Sequence, residues 1–158
     1  MTGLEYRRLV ARYITGAYGQ RGAEVYEEVT VGTTIIGKQR RVDLLMLVNG
    51  KALGIECKYQ DSFGTTDEKI PYALQDLAAQ RFPGAIAYAG SGFSEGVLHL
   101  LQSSEYAAYC MPDELVLAPQ PRRANGGMNS GTWQLDHIFA VTFGWWDIVI
   151  GNRNPVRL

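Results

Sequence analysis

The chain reads as an α/β fold: a central mixed β-sheet flanked by helices, in the order α-β-β-β-α-β, then α-β and an aromatic C-terminal segment. Three observations predict it. Asn49-Gly50 separates two β-type runs, 39–48 and 51–59, and is the strongest short-range signal for a two-residue hairpin turn. Both faces of that hairpin are largely apolar, which requires a packed layer on each side. Segments with 3.6-residue apolar spacing lie before and after it and can supply those layers.

Taken in order, residues 2–18 predict an amphipathic helix. Tyr6, Leu9, Val10, Tyr13, Ile14 and Ala17 share one face, Thr2-x-x-Glu5 fits a capping box, and Glu5, Arg8 and Arg12 edge the apolar stripe. Glycines at 19 and 22 end it. Residues 24–36 are β-branched and loosely alternating, a strand with an irregularity near Gly32. After the hairpin, 60–68 is a polar loop, and 70–81 predicts a helix with Pro71 in its first turn. Pro83-Gly84 stops that helix. Residues 84–89 form a short buried-type strand, Ser94 caps a helix running to Gln102, and 107–110 and 114–118 read as further strand. Residues 119–131 are a turn-rich loop. The segment 132–150 leaves two readings open, a hairpin or a helix over 133–143. We expect one domain over 1–158, with a core at about 2–118 and a C-terminal extension at 132–158.

Composition narrows the function. The chain has 158 residues, 46% hydrophobic and 20% charged, with a net charge of −1. That balance gives no global attraction to nucleic acid, so such binding needs a local basic patch. No apolar run approaches a membrane span, and the start lacks a secretory pattern. Two cysteines, Cys57 and Cys110, read as reduced thiols, and the expected location is cytoplasmic.

The chemistry lies in the hairpin. With Asn49 and Gly50 in the turn, Val48 faces Lys51 and the register brings Asp43 opposite Glu56. Opposed residues have Cβ atoms about 4.5–5.5 Å apart on one face. Lys58 follows Glu56 by two and points the same way. A divalent cation is the simplest thing that makes two opposed carboxylates favourable. The backbone carbonyl of Cys57 can add a third oxygen, a set suited to a hard ion such as Mg²⁺. Lys58 would orient or help deprotonate a bound water and stabilise phosphate charge.

Asp43, twelve intervening residues, then Glu56-Cys57-Lys58 resembles the PD-(D/E)XK nuclease superfamily, from Glu5 to about Ala89. The Ile55-Glu56-Cys57-Lys58 run is similar to archaeal-type Holliday junction resolvases. The resemblance implies a restriction-endonuclease-like fold and a Mg²⁺-dependent deoxyribonuclease in which Mn²⁺ can substitute. It also implies a metal or water-positioning role for Glu5, an extended motif at Gln60, and DNA as partner, often with a homodimer presenting two sites. Lys38, Arg40, Arg41 and Lys69 are candidate phosphate contacts. The segment Thr65 to Tyr72 is similar to a stretch in some restriction-type members. Val42 stands where the family motif has Pro. Pro112-Asp113 lacks a following Glu-x-Lys and is a decoy.

Other readings compete. A restriction or repair nuclease of the same fold fits the motif equally, and a non-catalytic DNA-binding module would retain the fold. Gly90-Ser91-Gly92-Phe93-Ser94-Glu95-Gly96 follows a strand and opens a helix, as in dinucleotide-binding turns. Arg122-Arg123 would sit at a basic loop tip. Trp133, Trp145 and Trp146 with Phe139 and Phe143 suit a core or dimer interface, or base stacking.

Overall fold

The computed structural model describes residues 1–64, 66–115, 118–119 and 130–158. It begins with helix α1 (Gly3–Tyr18), whose capping box forms as expected: Thr2 Oγ1 accepts the Glu5 N–H and the Glu5 carboxylate accepts the Thr2 N–H. Strands β1 (Glu24–Thr33), β2 (Gln39–Val48) and β3 (Lys51–Tyr59) follow as an antiparallel meander. The β1–β2 register shifts between Thr30 and Thr33, around Gly32. Asn49 and Gly50 both have positive φ, 50° and 80°, as a type I′ turn requires.

Helix α2 (Thr66–Ala79), strand β4 (Gly84–Ala89), helix α3 (Glu95–Ser103) and strand β5 (Ala107–Tyr109) continue the chain as parallel crossovers. The sheet order is β1-β2-β3-β4-β5, mixed as the sequence predicts. Helices α4 (Trp133–Phe143) and α5 (Asp147–Ile150) close it. No helix among the described residues is long and apolar enough to cross a membrane.

Each face of the sheet carries its own core. Leu44, Met46, Val48, Leu53, Ile55 and Cys57 pack with Tyr6, Val10, Tyr13 and Ile14 of α1 and with Leu135 and Phe139 of α4. On the opposite face, Ile86 and Tyr88 meet Ile70 and Leu77 of α2 and Leu101 of α3. That second layer covers only part of the sheet: Leu45, Leu47 and Ala52 remain half-buried.

Three expectations are corrected, and one reading left open is decided. Helix α2 starts at Thr66 rather than near residue 70, because Asp67 and Glu68 suit a helix N-terminus. Pro71 therefore lies inside the helix, where it forgoes one backbone hydrogen bond. The segment after residue 132 is helical, since its apolar residues bury at helical spacing (Leu135, Phe139, Ala140, Phe143). Glu114 and Leu115 form a turn and not a strand. Thr65, residues 116–117 and most of the expected loop, 120–129 with Arg122-Arg123, lie outside the described residues.

The C-terminal aromatics hold α4 to α1. Trp145 stacks on Tyr18 at 5.3 Å, with Phe139 edge-on to the same ring. Beneath them the buried Asp136 carboxylate accepts from Tyr13 Oη, from Tyr18 Oη at 2.6 Å and from Thr132 Oγ1 at 2.9 Å. Burial raises the Asp136 carboxyl above its ordinary range, and the three hydroxyls oppose that rise. Asp136→Ala would orphan the buried Tyr18 phenol and leave Tyr13 Oη only Thr132 Oγ1 at 3.2 Å, a lost acceptor costing about 1–3 kcal/mol at each buried group left unpaired. We expect a loss of about 3 kcal/mol in urea unfolding, and an unchanged midpoint would refute this account of the α1–α4 contact.

Candidate active site

The β2–β3 ladder ends at Leu44–Ile55, one step short of the Asp43–Glu56 opposition that the turn register predicts. Beyond it the Asp43 side chain stands in for the ladder, its Oδ2 accepting the Cys57 backbone N–H at 2.8 Å. On the other edge of β2, pairing passes from Glu27–Leu44 to Val29–Val42, and Glu28 between them has a φ of 54°. Side-chain alternation breaks at the same place. Leu44 joins the α1 core, whereas Arg40 reaches Asp76 of α2 and Val42 packs by Gly54 and Phe82. Such irregularities re-aim a side chain. This one turns the Asp43 carboxylate into the gap where β2 leaves β3.

Glu56 enters the same gap, its carboxyl close enough to Asp43 to feel that charge. Burial pushes its carboxyl up to about 7, the Asp43 charge adds to the rise, and Lys58 opposes it. Lys58 Nζ lies 3.8 Å from Glu56 Oε2, and both side chains are about one-fifth exposed. In a strand the N–H and C=O of one residue point to the same edge. The Cys57 carbonyl is therefore directed toward the β2 edge, where the Asp43 carboxylate sits. Asp43, Glu56, Lys58 and the Cys57 carbonyl are thus brought together.

The other candidates divide. Glu5 is exposed and engaged with Thr2 at the start of α1, which holds its carboxyl below the usual range. Gln60 is buried and acts as a clasp, its Nε2 donating to the Gly92 carbonyl at 2.8 Å. Arg40 is also buried. Its Nε and Nη2 form a two-pronged pair with Asp76 at 3.1 and 2.8 Å, so it is not free for phosphate. Arg41 leans on Glu28, at 3.8 Å, yet stays well exposed. Lys38 lies in the β1–β2 turn closed by Thr34. A cavity of about 270 Å³ beside the carboxylates is lined by Arg41, Glu56, Lys58, Lys69, Tyr72 and Gln80.

One of the structure's contributors, Asp76, is absent from the sequence reading, and Tyr72 enters it only as the end of the Thr65 to Tyr72 segment. Asp76 follows Ala73 by three residues and precedes Leu77, at the margin of the α2 apolar stripe. An acid in that position is the signal that could have found the Arg40 partner.

The glycine-rich run has a structural cause. The Gly92 N–H donates to the Gln60 carbonyl at 2.8 Å. A Cβ at Gly90 would run into that carbonyl, and one at Gly92 into the Ser62 backbone. The glycines let the loop after β4 cross the loop after β3.

Among the described residues no three His, Cys, Asp or Glu side chains gather as a metal set. The oxygens present are two carboxylates and one carbonyl. They are hard donors of the kind divalent cations take, and a cation would relieve the Asp43–Glu56 repulsion as the proton on Glu56 does.

A family model of the PD-(D/E)XK nuclease superfamily domain matches residues 2–146. The chain belongs to the PD-(D/E)XK nuclease superfamily. Its mixed sheet with flanking helices is the restriction-endonuclease-like arrangement, and superfamily nucleases generally use divalent metals. No curated protein matches the chain. Among solved structures, the crystal structure of a protein of unknown function, AF1548, is similar at 16% identity with a TM-score of 0.40. The match covers 61% of this chain and 53% of that one, so it spans about half of the solved chain.

The Glu56 shift carries a stability consequence. Between pH 4.5 and about 7 the folded metal-free chain holds a proton that the unfolded chain has lost, so stability falls as pH rises through that window. At about 1.4 kcal/mol per unit the loss is on the order of 3 kcal/mol. Urea unfolding in chelator at about pH 5 and about pH 8 should reveal it, and Glu56→Gln should flatten it. A wild-type profile as flat as the variant's would refute the buried carboxylate contact.

Proposed function

We propose that this nuclease-superfamily chain is a Mg²⁺-dependent deoxyribonuclease, an endonuclease that hydrolyses DNA phosphodiester bonds. The observation that carries the reading is the Asp43–Glu56 contact with Lys58 beside it. Asp43, Glu56 and the Cys57 carbonyl would hold the ion, and Mn²⁺ would fit the same oxygens. Bound there, the ion supplies a water of lowered pKa and charge for the phosphate in its transition state. Asp43 is fixed for this by the Cys57 N–H, and Asn in its place would keep the hydrogen bond while losing the charge. Lys58 orients the attacking water and places positive charge on the phosphate oxygens. The water oxygen bonds to phosphorus, one P–O ester bond breaks, and the water's proton passes through solvent to the departing sugar oxygen, which leaves as a hydroxyl. Lys69 and Arg41, on the wall of the adjoining cavity, would contact the flanking phosphates. Glu5 stays outside the proposed ligand set.

Within this class we favour a structure-selective enzyme of the junction-resolving kind, on the resemblance of Ile55-Glu56-Cys57-Lys58 to that branch. A homodimer would bring two such sites to two strands, and the exposed apolar residues Trp146, Val149 and Ile150 supply a surface for it. Trp146→Glu should then halve the mass measured by light scattering. An unchanged mass would remove that surface from the proposal.

The decisive assay is cleavage of linear duplex, single-stranded, flapped and four-way-junction DNA with Mg²⁺, Mn²⁺ or chelator. Lys58→Ala and Asp43→Asn should each lower the cleavage rate by about 10²-fold or more while the proteins stay folded. Chelator should abolish it. Equal rates for Lys58→Ala and wild type would overturn the assignment, and binding without any cleavage would favour the non-catalytic DNA-binding module.

A further inference from the structure

A second cavity, of about 540 Å³, opens at the carboxyl ends of the parallel strands and is lined by Tyr59, Ser91, Phe93, Leu98, Tyr109 and Met111. Ligands of open α/β sheets collect at that rim. The volume lies within the roughly 300–1,000 Å³ range of small-ligand sites. Its rings are held in place: Tyr59 packs on Tyr6 at 5.5 Å, and Phe93 and Tyr109 each stand edge-on to Tyr88, at 6.0 and 5.8 Å. All three lining rings are only partly buried.

The cavity adjoins the catalytic strand directly. Tyr59 follows Lys58 along β3, its side chain pointing to the opposite face of the sheet and packing on Tyr6. The loop leaving Tyr59 runs along the rim of the cavity, because Gln60 and Ser62 press against Gly90 and Gly92. That loop carries Phe63, whose side chain is 83% exposed. An exposed phenyl beside a ring-lined cavity is the arrangement that unstacks nucleic acid, a wedge filling the gap and rings receiving the base.

We propose that this cavity receives an unpaired nucleobase of the DNA strand being cut, stacked among Tyr59, Phe93 and Tyr109, with Phe63 occupying the place the base vacates. The nuclease thereby selects DNA with an unstacked nucleotide beside the scissile phosphate. The inference rests on the nuclease reading for its substrate but concerns a separate site with a separate readout.

The test compares affinity of the full chain, in Ca²⁺ to suppress turnover, for a short single-stranded oligonucleotide and for the same oligonucleotide with abasic sites. Stacking of about 1–3 kcal/mol per base corresponds to roughly 5- to 150-fold preference for the intact strand. Tyr109→Leu and Phe93→Leu, which keep apolar volume but lose the ring, should collapse that preference toward one. Tyr109→Phe should retain it. Phe63→Ser, at an exposed position that cannot compromise folding, should reduce the preference for a duplex carrying one unpaired nucleotide over a fully paired duplex. Equal wild-type affinity for intact and abasic strands, or a preference that survives Tyr109→Leu and Phe93→Leu, overturns the proposal. Base-dependent binding in a chain that cleaves no DNA would instead sink the nuclease reading and leave the cavity assignment standing.

Discussion

The site depends on one hydrogen bond, from the Cys57 N–H to the Asp43 carboxylate. A regular ladder would continue past Leu44–Ile55 with backbone groups alone. Here a side chain takes over, and three consequences follow. The strands part, so there is a gap. The carboxylate cannot swing away, because leaving would orphan a backbone donor at a cost of about 1–3 kcal/mol. The Cys57 carbonyl at the same strand edge loses its place in a regular β2 ladder and becomes a candidate oxygen ligand. An Asp fixed in that way can be pressed against Glu56, and the repulsion is stored as the raised Glu56 pKa instead of being dissipated by rotation.

The backbone around Asp43 is adapted to the same end. Glu28 adopts a left-handed conformation beside it, which an L-residue resists by roughly 1 kcal/mol. Its carboxylate is anchored by Arg7 at 3.1 Å, so α1 holds the irregular step of β1 in place. Both α1 and α2 therefore brace β2 where it leaves the ladder, one through Arg7 and Glu28 and the other through Asp76 and Arg40.

The legible part of this design is local. Asn49-Gly50 set the turn, the turn set the register, and the register carries the ladder to Leu44–Ile55, one step from Asp43 and Glu56. Capping at Thr2 and Ser94 was equally readable, since a cap is written within four residues. What could not be read is what depends on a broken period. Strict alternation places Arg40 with Leu44 and Met46, yet the step at Asp43 sends Arg40 to α2 and into a buried pair. Gln60 and the glycine run could not be understood separately either. The glycines at 90 and 92 are small because Gln60 and Ser62 cross them, some thirty residues away in sequence.

The division between arginine and lysine at the site has the same logic. Arg40 offers a rigid fork that matches the Asp76 carboxylate, whose Oδ1 also accepts the Ile35 N–H at 3.1 Å. A cation so satisfied strengthens the wall of the cavity and contributes little to a ligand. Lys58 makes only a 3.8 Å contact with Glu56, on a flexible stem. It can leave that contact for a phosphate without unfolding anything. A chain with a net charge of −1 offers a polyanion no global attraction, so the proposed phosphate contacts depend on a local cluster of cations. With Arg40 committed to Asp76, the side chains left for such a cluster are Lys58, Lys69 and Arg41, which line one cavity.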